Sequence, residues 1–145
     1  MPDKNYRWEP SPHTADLAIA IESSDIEGLF RASFDGLLGL LEIEPEKSEG
    51  VTILEHKLNM KFCAVEEGLV DFLNECIYLM DGEDLLPFRI QFLNYSPGEL
   101  EAVFHCRDVA DVEKPRITHI KAATYSNLAV EQVGETYRAK IIFDT

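Results

Sequence analysis

From Ile26 the apolar side chains Ile26, Leu29, Phe30, Phe34, Leu37, Leu38 and Leu41 recur three and four residues apart, the stripe of an amphipathic helix. Asp25 stands where an N-cap is needed, and Pro45, without an amide hydrogen, bars the helix from running further. Between residues 51 and 62 the period falls to two, with Leu54, Leu58, Met60 and Phe62 on one face and Lys57, Asn59 and Lys61 on the other. That alternation predicts a half-buried strand. A second helical stripe follows in Val65, Leu69, Phe72, Leu73, Cys76, Ile77 and Met80. Glu66, Glu67, Asp71, Asn74 and Glu75 face away from it, and Asp81-Gly82 closes the element.

The last third changes period. Phe88, Ile90 and Phe92 alternate before Ser96-Pro97-Gly98, and Leu100, Ala102, Phe104 and Cys106 alternate after it, which predicts a hairpin. Further strands are expected at 117 to 124, 127 to 133 and 136 to 143, the last two joined across Gly134, with a loop from Arg107 to Arg116. The first strand is expected just after Asp16. The elements therefore predict an α+β fold, a single domain over residues 1–145 with two amphipathic helices packed on a mixed or antiparallel β-sheet of about six to seven strands.

Composition narrows the class. The 145 residues are 46% hydrophobic and 28% charged, close to globular averages. No stretch approaches the roughly 20 apolar residues that span a bilayer, so no membrane role and a cytoplasmic location are expected. Cys63, Cys76 and Cys106 are odd in number, far apart and set in apolar segments, which predicts reduced core thiols rather than disulfides or a zinc site. With 27 acidic against 13 basic residues the net charge is −14. Such a surface repels phosphate backbones, so tight direct nucleic-acid binding is not expected, and a basic protein partner or a bound cation is the natural complement.

Chemistry can sit in three polar clusters: Pro12-His13-Thr14-Ala15-Asp16, Ile120-Lys121-Ala122-Ala123-Thr124-Tyr125-Ser126, and Phe143-Asp144-Thr145. Read alone, His13 is either a ligand or general acid, or a hydrogen-bonded structural residue. Asp16 either caps a turn or ligates a cation. Asp144 beside the carboxylate of Thr145 concentrates hard anionic oxygen of the kind calcium and magnesium select, unless it is simply a frayed end. Lys121 either faces solvent or stabilises phosphate or carboxylate charge, and Tyr125 is a core or rim residue. Glycine-rich phosphate loops, Gly-x-Ser-x-Gly turns, His-Glu-x-x-His helices and paired Cys-x-x-Cys motifs are absent.

Taken in order, Tyr6-Arg7-Trp8, His13-Thr14-Ala15-Asp16, the helix from Asp25, Leu69-Val70-Asp71-Phe72-Leu73-Asn74-Glu75, Lys121-Ala122-Ala123-Thr124-Tyr125 and Ile141-Ile142-Phe143-Asp144-Thr145 resemble the archease family over nearly the whole chain. The resemblance implies an accessory activator of an RtcB-type RNA ligase in tRNA splicing and RNA repair, not itself an enzyme. It would promote guanylylation of the ligase from GTP and so allow many rounds of joining. It also implies a divalent cation, calcium foremost with magnesium or manganese as alternatives, held by Asp16, Asp144 and Thr145. Lys121 would stand beside the ion, and His13 would orient the loop carrying Asp16. Pro12 and Ser126 depart from the family pattern, in which many members carry an acidic residue and a histidine. Two other classes fit the same oxygen cluster: a metal-dependent phosphoester hydrolase, and a chaperone or scaffold with a structural ion.

Overall fold

The computed structural model describes residues 5–12, 17–43, 52–108 and 120–145. Strand β1 (Tyr6–Pro10) leads into β2 (Leu17–Ser23), helix α1 (Ile26–Leu40), β3 (Leu54–Lys61) and helix α2 (Val65–Gly82). Then come β4 (Leu85–Ser96), β5 (Glu99–Asp108), β6 (Ala122–Thr124), β7 (Glu131–Val133) and β8 (Thr136–Asp144). Asp25 does cap α1: its carboxylate accepts the Gly28 amide at 2.7 Å. The hairpin turn at Gly98 needs φ +85°, a value glycine reaches without a Cβ penalty.

Among the described residues the fold is α+β with two helices, as the sequence predicts, but the strands form two antiparallel sheets. One runs β1-β2-β8-β6, with β7 also pairing β8; the other runs β3-β5-β4. The helices lie between them. Helix α1 turns its small residues to the first sheet, where a Cβ at Gly36 would stand 2.7 Å from Ile19 Cδ1 and one at Gly39 would strike the Trp8 ring. Its aromatic side meets the second sheet, Phe34 stacking on Phe104 at 5.9 Å. Phe72 of α2 contacts Phe30, Phe34, Phe92 and Phe104, with ring centroids 5.5 to 6.4 Å apart. One apolar cluster thus draws on both helices and both sheets.

Four expectations change. Eight strands are present among the described residues, because β1 also forms: Trp8 faces inward against α1 while Arg7 and Glu9 face out. Strand β7 covers only the end of the expected 127–133 segment, since Val130 turns its amide to Glu66 instead of a neighbouring strand. Arg107 and Asp108 belong to β5 rather than to a loop, while the rest of the Arg107–Arg116 segment, and residues 117–119, lie outside the described residues. Cys63 is exposed, not a core thiol, because it stands in the turn where Phe62 alone points inward; Cys76 and Cys106 are buried.

Burial withdraws water from the two inner thiols and pushes both up, Cys106 to about 11 and Cys76 well above the ordinary thiol range. A thiolate-selective reagent at pH 8 is therefore expected to modify Cys63 rapidly and the other two only on unfolding. Fast modification of a buried thiol in the native protein would contradict this packing.

Candidate functional site

Strand β8 is the central strand of the first sheet, and its final residues are flanked on both sides. Leu17 lies opposite Phe143 on β2, and Ala122 lies opposite Asp144 on β6. Directly opposed residues in an antiparallel pair project to the same face, so the small Ala122 methyl leaves room beside the Asp144 carboxylate. The Lys121 amide donates to the Asp144 carbonyl oxygen at 2.8 Å, which ties the two candidate residues through their backbones. The side chains of Lys121, Asp144 and Thr145 are exposed. On the same face of β8, the Lys140 ammonium donates to the Pro12 carbonyl at 3.3 Å, so the chain just ahead of the His13 segment is held to this strand.

Helix α2 fastens the other side of the site. The Asn74 side chain accepts the Ala123 amide at 2.7 Å and donates to the Ala123 carbonyl at 3.3 Å, so one amide group satisfies both polar groups on the outer edge of β6. Ala123 is only 4% exposed, and an unpaired peptide group at such a position costs about 1–3 kcal/mol. Farther along, Tyr125 donates to Asp71 at a long 3.5 Å, and Glu66 accepts the Val130 amide at 2.9 Å. Partial loss of water, then the negative charges of Asp71 and Glu67 and that hydrogen bond, push the Tyr125 phenol up, so it stays protonated through the neutral range.

The polar side of α2 is thus a second packing surface, which amphipathic periodicity alone assigns to solvent. Asn74 in particular escapes the sequence reading. The available signal is an asparagine in mid-helix, a residue whose side chain competes for backbone partners and so disfavours helix interiors.

Of the expected site residues, Asp144, Thr145 and Lys121 gather at the end of β8, while His13 and Asp16 lie outside the described residues. Among the described residues no group of three or more His, Cys, Asp or Glu side chains is placed to hold a metal. The donors that are described are oxygens, a set whose chemistry suits calcium or magnesium and not a thiolate-bound zinc.

These features define a class: an acidic α+β protein whose helix pair is enclosed by two antiparallel sheets, with polar residues from two chain segments meeting at the end of its central strand. The sequence profile of the archease protein family matches residues 8–145. The chain is 30% identical over 137 residues to an archease of Thermococcus gammatolerans, covering 89% of this chain and 91% of that one. It is 26% identical over 152 residues to an archease of Methanosarcina mazei, covering 99% of each. The crystal structure of an archease from Thermotoga maritima, described as a possible chaperone, superimposes with a TM-score of 0.64 at 28% identity over 94% of this chain and 96% of the other. The chain belongs to the archease family.

Proposed function

We propose that this protein is an accessory activator of an RtcB-type RNA ligase, and that Asp16, Asp144 and an oxygen of Thr145 hold a divalent cation, calcium foremost, beside Lys121. The observation that carries this reading is the strand register: Leu17, the first residue of β2 and the neighbour of Asp16 in the sequence, is opposite Phe143, the neighbour of Asp144. When bound, the cation supplies positive charge for phosphate oxygens. Asp144 offers a carboxylate fixed in place by the β8 backbone, and Lys121 offers a mobile ammonium for the same phosphates. None of these groups is asked to act as a nucleophile. The ligase forms the covalent bond to GMP by attack on the α-phosphate of GTP, which breaks the α–β phosphoanhydride bond and releases pyrophosphate, and the activator stabilises charge during that exchange.

The net charge of −14 supports docking to the basic cleft that a ligase needs for RNA and GTP, which makes the association sensitive to salt; it has to be weak as well, because a tightly held activator would block the RNA path. The test mixes the protein with its cognate ligase, GTP, Mn²⁺ or Mg²⁺ and RNA ending in a 3′-phosphate or 2′,3′-cyclic phosphate, and counts joined ends per ligase molecule. Joining well beyond one end per ligase is expected only when the protein is present. A count near one in both arms overturns the proposal.

A further inference from the structure

We infer that Asn74 is a positioning residue for the Lys121/Asp144 site: its side chain, from the middle of α2, sets where β6 lies against the end of β8. The inference rests on the functional reading of Lys121 and Asp144 given above, but its physical part stands on hydrogen-bond geometry alone. Strand β6 is three residues long, too short to hold its register by pairing with β8 alone. Its inner edge pairs with β8 through Ala122–Thr124, and the Thr124 hydroxyl adds a bond to the Ile142 carbonyl at 2.9 Å. Its outer edge has Asn74 where another strand would otherwise lie, accepting from Ala123 at 2.7 Å and donating to it at 3.3 Å. A primary amide is the side chain that mimics a peptide group, with one acceptor and a donor side by side. Neither aspartate nor leucine supplies both.

The consequence reaches the site through two residues. Ala123 is held by Asn74, and Lys121, two positions earlier, donates its amide to Asp144. Releasing Ala123 leaves Lys121 free to move away from Asp144, while the β2–β8 ladder, which contains Ile19 opposite Ile141, does not depend on Asn74. Asn74 therefore acts first on one end of one strand, and on the rest of the fold only through that end.

Wild type, Asn74→Ala and Asn74→Asp are compared by amide hydrogen exchange, thermal unfolding and titration with calcium alone. In Asn74→Ala the amides of Ala123 and Lys121 are expected to gain about tenfold or more in exchange rate beyond any rise at Ile19 and Ile141, whose exchange reports the change in global stability that thermal unfolding measures. Asn74→Asp keeps the acceptor for Ala123 and is expected to fall between the two, which keeps the test usable if the alanine variant folds poorly. Calcium affinity should decline in the same order. Exchange at Lys121 that matches wild type in both variants, or that rises only in step with Ile19 and Ile141, overturns the positioning role. Absence of calcium binding by wild type removes the metal reading instead, and the exchange data still decide the role of Asn74.

Discussion

Asp144→Asn is expected to abolish most cation binding and most activation while leaving the fold intact. The side chain is exposed, asparagine has the same shape, and the bond from Lys121 goes to the Asp144 backbone, which the substitution keeps. What disappears is one negative charge from the oxygens proposed to hold the cation, and a hard cation gives up its water only to strongly anionic ligands. A loss of affinity of about tenfold to a hundredfold is expected, by comparison with what even supporting groups around metals contribute. Two measurements check it. Calcium at a hundred times its dissociation constant should stabilise wild type by about 2.7 kcal/mol and the variant by far less. Multiple-turnover joining by the ligase should fall toward one end per ligase molecule. A variant that matches wild type in both would place the function elsewhere on the protein.

The largest effect on stability is expected from Phe72→Ala. Phe72 is fully buried, and its ring touches Phe30 edge-on at 5.5 Å, Phe104 at 5.8 Å, Phe92 at 6.2 Å and Phe34 at 6.4 Å. These partners come from α1, β4 and β5, so the ring is where the helix layer meets the second sheet. Removing it leaves a cavity with walls on several elements that cannot all collapse inward. Phe→Ala at such a site costs about 3–5 kcal/mol, a large part of the 5–15 kcal/mol that holds a typical domain together. Urea denaturation should show a midpoint shift of that size with little change in slope. A cost under about 1 kcal/mol would mean that the aromatic cluster is far looser than its ring spacings imply.

Much of the fold is legible in the sequence, for local reasons. Asp25 and the stripe from Ile26 to Leu41 define α1, since capping and helical periodicity depend on neighbours a few residues apart. The Ser96-Pro97-Gly98 turn between two alternating runs marks the β4–β5 hairpin, because the turn demands a residue that tolerates positive φ. Strand β1 is less visible: five residues ending in Pro10 give too short an alternation, and only Trp8 packing over Gly36 and Gly39 reveals why it forms. Cys63 misleads because an apolar neighbourhood in sequence says nothing about which side of a turn a side chain takes.

The chain by itself determined its helices, the main strand alternations and its acidity. All of these are properties of composition or of spacing within a few residues. Only the tertiary structure decided that the strands divide into two sheets around the helices, that Lys121 is tied to Asp144, and that Asn74 clamps the strand between them. Those facts depend on which distant segments pair, and long-range pairing is chosen by the packing of the whole core, which no local period encodes.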